Sequence, residues 1–597
     1  MKRTSRILVA ALAAVALVFA VVYATSGGSS RVTGKPVRAL GAGGNADPDL
    51  VAGTGGAPAV PLAGTVSAPH RSAPLTEVTS RPPTTVPWVK RELEMEAEEA
   101  AAATEGEEAE GDKPALERSA GLGQADEALQ TDRGSSQFPA PTLSFKGLGA
   151  NANPYTLVPP DTNGDVGNGY YLQMVNVAFA VYDADTGSKL AGPLFMSSLF
   201  DPGTQKLCAT HDDGDPVVVF DEYANRFVIT QFAVNYNKAK FAECNAVSAT
   251  SDPTGSWNAY QFDYPKANVL NDYPKFGVWP SANNNAYFAS FNQFRCSTGT
   301  CDFAWRGAGA VAYDRASMIA GDPAGQIYVD LYGVDPNLGG LLPSDADGAT
   351  PPGASKPNYF VQMDADEFGY PDDALEVWEF DVDWATPANS SFDAQTTSLA
   401  TANFSPWICG VGKTYCIPQK GSKNKLDAIN DRVMFRLQYR NMGGGDERMV
   451  VNHTVRASKG QAGLRWYELA DSGSGWGIAN QGTYSPEAKK SRWMGSAAMD
   501  SAGNIAIGYS LSSGGMFPSI GVAGRNSTAP ANTLDLAERK VFTGLGSEKG
   551  NYGRWGDYSD MTVAEDGCTF YYTTQYYKKT GQYKWATQVL RFTLPSC

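Results

Sequence analysis

Acidic side chains stand near the start of several segments that resemble one another, and carboxylates are among the residues that can do chemistry. Asp215, Asp272 and Asp557 occupy comparable places in these segments. If the segment starts meet at one mouth of a channel, the three carboxylates form an acidic ring. Such a ring would bind a cation or supply the carboxylate pair that hydrolyses a glycosidic bond. The structural alternative is that each Asp satisfies a turn or a neighbouring segment by hydrogen bonding.

Arginine precedes tryptophan in two of the same segments, as Arg492-Trp493 and Arg554-Trp555. Together with Arg436, these guanidinium groups are candidates for binding an anionic ligand, because the guanidinium fork matches a carboxylate. Adjacent residues of a strand point to opposite faces, so an Arg and its Trp do not both line one channel. The alternative is that Trp packs between repeated units while Arg pairs with Asp.

Oxygen-bearing side chains alternate at Asp161, Asn163 and Asp165, which is the spacing of the first half of a calcium loop. Val166 stands where an EF-hand needs Gly, so a true EF-hand is excluded. A looser calcium site is one interpretation, and calcium is the one candidate cofactor. The other is a turn in which the side chains bind local backbone N–H groups.

Histidine is scarce, with three residues in the chain. His211 lies in the sequence Thr-His-Asp-Asp, and nearby carboxylates would raise its pKa if they face the ring. It is therefore a ligand-binding candidate, with a structural histidine as the alternative. No GxSxG elbow or comparable signature accompanies it. The sequence identifies no catalytic residue. If the protein is an enzyme, the repeated Arg and the possible acidic ring favour a glycoside hydrolase.

The overall balance of charge excludes one class of partner. Lys plus Arg total 48 and Asp plus Glu total 63, which makes the formal net charge -15 over 597 residues. A nucleic-acid binder needs a basic face for the phosphates, so nucleic acid is not an expected partner. Hydrophobic residues make up 42% of the chain, which is enough for a large core. The chain also has 63 glycines and 36 prolines, which indicate many turns.

The N-terminal part is typical of an exported protein. Lys2, Arg3 and Arg6 precede an apolar run over 7–24, which predicts a signal peptide or a retained membrane anchor. Residues 25–140 are rich in small residues, Pro and a Glu run, and predict a disordered stalk. A folded head over 141–597 follows. The protein is expected to be secreted or anchored to the outer face of the membrane.

Eight cysteines lie in the head, and an even number in an exported chain implies disulfides. Zinc is the rival interpretation, but no CxxC pair is present and histidine is scarce. The spacing favours pairs of neighbours along the chain: Cys208 with Cys244, Cys296 with Cys301, Cys409 with Cys416, and Cys568 with Cys597.

Short apolar strands separated by Gly, Asn, Asp and Pro turns fill the head, and the pattern recurs in about seven units of roughly 65 residues. Four strands per unit would account for that length. We therefore predict an all-β fold, a β-propeller of about seven blades, with six or eight as the alternatives. The segment from Thr142 to Gly149 is a candidate for the strand that completes the last blade.

The motifs DTNGDVG, GDPVV, DYPKFGVWP, NHTV, RWYEL, RWMGSAAMD and RWGDYSDM resemble those of uncharacterised exported bacterial proteins with a propeller-like fold. That resemblance implies compartment and fold, and it transfers no catalytic residue. The segment from Thr250 to Trp257 is similar to a degenerate Asp-box of sialidase-like propellers. In that hairpin Asp252 would accept turn hydrogen bonds and Trp257 would pack between blades.

Three functions are compatible with these features. The first is a secreted or cell-surface head that binds carbohydrate or another extracellular polymer. The second is a sialidase-like glycoside hydrolase or lyase, and the third is a structural surface protein. Convergence of two carboxylates with two Arg at the axis would favour the enzyme. An exposed aromatic strip would favour binding over a purely structural role.

Overall fold

A computed structural model describes 56–83 and 126–597, except for positions 153, 156, 396, 397, 411, 412, 414, 551, 552 and 596. The predicted signal or anchor over 1–24 and the Glu run lie outside these residues. Within the described part, no helix is long and apolar enough to cross a membrane. Strands dominate, and short helical turns occupy Met196–Leu199, Lys206–Thr210, Tyr236–Lys238, Arg315–Ala320, Asp366–Phe368 and Pro387–Asn389.

In the described part of the chain, seven antiparallel four-stranded units follow one another, and we number them as blades 1 to 7. The inner strands of blades 4 and 5 also pair with each other in parallel, so these two blades form one continuous sheet. The strands of the first four blades are, for blade 1, Asn163–Gly167, Tyr170–Val175, Ala178–Asp183 and Lys189–Phe195; for blade 2, Gly214–Asp221, Arg226–Asn235, Lys240–Ser248 and Trp257–Asp263; for blade 3, Val269–Pro280, Asn285–Ser297, Thr300–Asp314 and Gln326–Asp330; and for blade 4, Leu342–Asp347, Asn358–Asp364, Ala374–Asp381 and Ser391–Ala394.

Blades 5 to 7 continue the pattern after a crossover that holds the strands Leu399–Ala400, Tyr415–Ile417 and Leu426–Asp427. Their strands are, for blade 5, Val433–Gly443, Asp446–Ser458, Gln461–Asp471 and Gly477–Tyr484; for blade 6, Ser491–Met499, Ile505–Ser513, Met516–Arg525 and Leu536–Phe542; and for blade 7, Asp560–Val563, Thr569–Tyr577, Trp585–Thr593 and, from the N-terminal side of the head, Leu143–Gly149.

The first strand of each blade lies innermost, and neighbouring inner strands contact one another in a closed ring that runs from blade 1 to blade 7 and back to blade 1. The prediction of a β-propeller with seven blades is therefore confirmed. Leu143–Gly149 pairs antiparallel with Trp585–Thr593, so the chain closes its own ring as the sequence predicted.

Large aromatic side chains fill the space between blades. Trp493 and Trp555 are fully buried with ring centroids 6.0 Å apart, and the indole of Trp555 donates to Ser510 Oγ at 2.9 Å. The hairpin that resembles an Asp-box is structural as expected. Its Asp252 accepts from the Thr254 N–H at 2.9 Å, and buried Trp257 donates to a turn carbonyl.

Parts of the predicted stalk are ordered against the blades. Pro61–Ala63 adds a strand to the outer edge of blade 3, and His70–Arg71 does the same on blade 2. Leu129–Gln130 pairs with blade 5 and Ser136–Gln137 with blade 6, both in parallel. In these stretches the structure differs from the expected disorder, because each outermost strand offers an unpaired row of N–H and C=O groups that extended chain can satisfy.

All four predicted disulfides are present, and no described cysteine is free. The Cys208–Cys244 bond joins the short helix after blade 1 to the third strand of blade 2, across 36 positions of sequence. Cys296–Cys301 closes a hairpin across 5 positions. Disulfides of this density are typical of an oxidising compartment outside the cytosol.

We predict that the double substitution Cys208→Ala/Cys244→Ala lowers the free energy of unfolding by about 1–2 kcal/mol more than Cys296→Ala/Cys301→Ala does. The reason is that a longer closed loop removes more entropy from the unfolded chain. Denaturant unfolding of the two variants beside the wild type measures the difference. Equal losses from both variants would contradict this ordering.

Candidate functional site

The chain enters several inner strands through a left-handed residue that sits at the channel mouth. Asp161, Asp215, Tyr273 and Asp557 have φ of 49, 53, 51 and 54°, and they belong to blades 1, 2, 3 and 7. Asp tolerates this backbone better than most residues do. In blades 2 and 3 the strand pairing shifts register immediately afterwards, so the first residues bulge away from the regular ladder.

These entries bring together five charged side chains, which we call the axial cluster: Asp161, Asp215, Lys275, Arg554 and Asp557. Each is at most 9% exposed. The Arg554 guanidinium is bound to the Asp557 carboxylate. The Lys275 ammonium lies 3.5 Å from the centroid of the Tyr273 ring and 3.9 Å from that of Tyr558, and it donates to a backbone carbonyl at 2.8 Å.

Two carboxyls of the axial cluster, those of Asp161 and Asp215, influence each other's protonation. Burial raises the pKa of Asp161 well above its usual value, and the neighbouring carboxylates of Asp557 and Asp215 raise it further. Burial raises the pKa of Asp215 to about 6, while a hydrogen bond from Asp161 favours its charged form. Of the two carboxyls, Asp161 therefore binds a proton more strongly.

Two cationic side chains, Lys275 and Arg554, stand among these carboxyls. Burial lowers the pKa of Lys275 to about 8, although Asp215 and Asp161 oppose the shift. Arg432 is a further cation nearby, and its guanidinium lies 4.4 Å from the centroid of the Tyr273 ring. A buried arrangement of this kind is stable only when each charge has a partner.

Two predicted site residues lie outside this cluster. Asp272 is half-buried on the ladder opposite Asn292, and its neighbour Tyr273 takes the left-handed position instead. Arg436 is buried in blade 5 and binds the carboxylates of Asp345 and Asp347 on the inner strand of blade 4. Arg436 therefore joins two blades, and it does not converge with Arg554.

Arg492 and His211 also lie apart from the axial cluster. Arg492 is bound through its Nε to Glu538 in the outer strand of blade 6, at 2.6 Å. The His211 Nδ1 contacts the Thr210 hydroxyl at 2.9 Å, and burial lowers its pKa. The condition for a raised pKa, a carboxylate that faces the ring, is not met by Asp212, because its carboxylate accepts from the Ser197 N–H at 2.8 Å.

The three predicted calcium ligands point to different partners. Asn163 Oδ1 accepts from the Val218 N–H at 2.6 Å, and Asp165 Oδ2 accepts from the Phe220 N–H at 2.7 Å, both in blade 2. Asp161 alone belongs to the axial cluster. A calcium ion held by all three stays a prediction.

Sequence reasoning missed Lys275 and Tyr273, although both lie in the motif DYPKFGVWP. The prediction treats Asp215 of the segment GDP and Asp272 of the segment DYP as equivalent positions. Aligned on Pro216 and Pro274, the axial position falls on Asp215 and Tyr273, as in the structure. A lysine inside an otherwise apolar strand was a further signal, since a buried ammonium needs partners.

A second candidate site lies on the rim of blade 4 and is here called the rim cleft. Its volume is about 460 Å³, and its lining consists of Asn283, Asp381, Val382, Asp383, Trp384 and Asn389. Trp384 is half-buried, and its indole nitrogen has no hydrogen-bond partner among the described residues. Asp383 is committed to the turn, where it accepts from the Thr386 N–H at 2.8 Å. The Asn389 amide also donates to Asp383, at 3.2 Å. The cleft therefore offers part of an indole, the Asp381 carboxylate and the Asn283 amide.

Comparison with known proteins finds distant structural likenesses alone. No protein-family model matches the chain, and no curated protein sequence matches it. A Hadza microbial sialidase has 9% identity and a TM-score of 0.35, with 72% of this chain and 74% of that one covered. The polysaccharide lyase Uly1 has 10% identity and a TM-score of 0.34, with 79% and 98% covered. An α-L-arabinofuranosidase from Lactobacillus brevis has 10% identity and a TM-score of 0.25, with 64% and 90% covered. No family or activity follows at these values, and the resemblance to exported bacterial proteins stays a prediction.

We predict that Asp161→Asn flattens the pH dependence of stability between about pH 4 and pH 6. In the native wild type the pair keeps a proton that the unfolded chain has lost in this range, so stability falls as pH rises, by up to about 1.4 kcal/mol per pH unit and proton. An asparagine amide keeps the hydrogen bond to Asp215 without titrating. Unfolding midpoints measured at each pH, with exposed Asp393→Asn as the control, test this. An unchanged slope in Asp161→Asn would show that the proton is held elsewhere.

Proposed function

We propose that the head binds a neutral glycan through the rim cleft. The observation that carries this proposal is the lining of the cleft, where Trp384 stands beside the Asp381 carboxylate and the amides of Asn283 and Asn389. Carboxylate and amide groups bind hydroxyls, and an aromatic face covers the apolar side of a sugar ring. The volume of the cleft falls within the range of small-ligand sites, and most of its lining residues are polar.

Charge favours a neutral ligand over an acidic one at this place. Asp381 and Asp383 both line the cleft, and no basic side chain does among the lining residues. The whole chain also carries a formal net charge of -15. An acidic polysaccharide would be repelled by that field on approach.

The aromatic surface of the head is limited. The large hydrophobic side chains exposed among the described residues are Val60, Leu62, Val66, Leu190 and Leu545, and none is aromatic. An extended aromatic strip is therefore not part of the proposal. Binding is assigned to a short ligand segment of one or two sugar rings at Trp384.

A second function, acid–base chemistry on a glycan, is favoured by the grouping of Asp161, Asp215 and Asp557 in one buried cluster, where Asp161 binds a proton more strongly than Asp215. A carboxyl that keeps its proton next to one that has lost it supplies an acid and a base in one place. Hydrogen-bonded carboxyls stand closer than the roughly 5 Å that separates the pair in retaining glycosidases. The pair would therefore act as one unit, with Asp557 the remaining carboxylate of the axial cluster.

We expect Trp384→Ala to weaken glycan binding about 30-fold, which is the loss that removal of a central aromatic anchor of about 2 kcal/mol causes. Trp384→Phe should keep most of the affinity because it keeps an aromatic face. Calorimetric titration with neutral and acidic oligosaccharides measures both, and Asp393→Asn on the same blade is the control. Equal affinity in wild type and Trp384→Ala would remove the rim cleft from consideration, and no binding at all would favour the structural role.

The second function is tested by release of reducing ends or unsaturated products from a panel of polysaccharides and sialoglycans. If the axial cluster is catalytic, Asp161→Asn and Asp215→Asn abolish turnover while Arg492→Lys, which lies apart from the cluster, leaves it unchanged. Cooperative unfolding of each variant verifies that it is folded. Turnover that survives in both Asp variants would exclude this assignment.

A further inference from the structure

Three carboxyls meet at the turn between the second and third strands of blade 4, far along the chain from the predicted calcium loop. Asp366 and Glu367 lie in the short helical turn Asp366–Phe368, and Asp373 stands one residue before the strand Ala374–Asp381. Each offers an oxygen, and these oxygens all lie within 4.8 Å of one another. That is the greatest separation at which two oxygens can both lie about 2.4 Å from one calcium ion.

Glu367 is the feature that points to a ligand. Glu367 is 6% exposed, and neither of its Oε atoms has a partner with hydrogen-bond geometry among the described residues. The Ser405 hydroxyl lies near the Glu367 carboxyl. A buried carboxylate without a donor or a counter-ion is costly, and a bound cation removes that cost.

The other two carboxyls differ in exposure and in partners. Asp373 accepts from the Asp366 N–H at 3.1 Å and from the Phe404 N–H at 2.7 Å, which fixes its position. Asp366 is half-buried, so the site opens to solvent on its side. The nearby guanidinium of Arg465 is already bound to the Ala402 carbonyl at 2.7 Å and to Gln481 at 2.6 Å.

We propose that Asp366, Glu367 and Asp373, with the Ser405 hydroxyl as a further oxygen, bind a calcium ion. Carboxylate and hydroxyl oxygens are the ligands of a hard cation, and calcium accepts the irregular geometry of a turn better than magnesium does. The donors come from blade 4 and from the crossover to blade 5. Ser405 is tied to blade 5 through its carbonyl, which accepts from the Arg456 N–H at 2.8 Å. The ion would thus fasten the junction between the two blades.

Terbium luminescence on the full chain provides a direct test. Terbium replaces calcium in oxygen sites, and Trp407, whose ring lies 5.3 Å from that of Phe368, would sensitise its emission. We expect sensitised emission that calcium displaces, with half-saturation by calcium at about 10⁻⁴ to 10⁻³ M as in extracellular modules. Calcium should also raise the unfolding midpoint relative to a chelator, by mass action.

Two variants of the proposed site and two control variants distinguish this site from other acidic sites. Glu367→Gln should lose the emission and the response of the unfolding midpoint to calcium, while remaining at least as stable as wild type in chelator. Asp366→Asn, at the solvent side, should raise the half-saturating calcium concentration. Glu243→Gln, another buried glutamate, and Asp161→Asn, in the axial cluster, should both respond as wild type does.

The proposal is overturned if wild type gives no sensitised emission, if Glu367→Gln keeps it, or if Asp161→Asn removes it. Cooperative unfolding of Glu367→Gln in chelator shows whether a lost response reflects lost folding. If that variant does not fold, Asp366→Asn decides, since its half-buried side chain carries less of the packing. An unchanged calcium dependence in folded Asp366→Asn would then overturn the proposal.

Discussion

The contact between neighbouring inner strands is the constraint on which the rest of the molecule depends. Polar side chains of one inner strand accept N–H groups of the next: Asn163 binds Val218, Ser496 binds Met561 at 3.0 Å, and Asp560 binds Gly164 at 3.2 Å. A ring of seven blades must satisfy these groups without water, since almost every inner position is buried. The acidic residues at the axis are therefore largely part of the scaffold.

This constraint also explains why charge gathers where it does. An inner strand that uses Asp to bind its neighbour brings carboxylates into the channel, and Arg436, Lys275 and Arg554 offset them there. Burial and the neighbouring carboxylates raise the pKa of Asp161 well above its usual value. The titratable carboxyls at the axis are thus a consequence of closing the ring. Closure explains why Asp161 and Asp215 lie together in a region that is otherwise buried like a core.

At the outer edge of the blades, unpaired backbone groups rather than buried charges are the constraint. Outermost strands of blades present unpaired backbone, and short N-terminal segments cover blades 2, 3, 5 and 6 while Leu143–Gly149 completes blade 7. Exposed edges are liable to pair with other chains, so covering them favours a soluble head. The rim cleft of blade 4 lies beside an edge that no such described segment covers.

Sequence patterns were sufficient to predict the kind of fold, the approximate number of blades, the closing strand and all four disulfides. The reason is that repeats, turn residues and cysteine spacing can be recognised locally along the chain. These patterns did not place the axial residues: alignment on Asp272 pointed one position away from Tyr273, and a strand reverses its side chains at every step. Nor did they predict Lys275 beside Asp215, the rim cleft at Trp384, or Glu367 facing Asp373 with neither oxygen hydrogen-bonded. Those arrangements join residues of different blades or loops, and their register, bulges and burial exist only once the ring has closed.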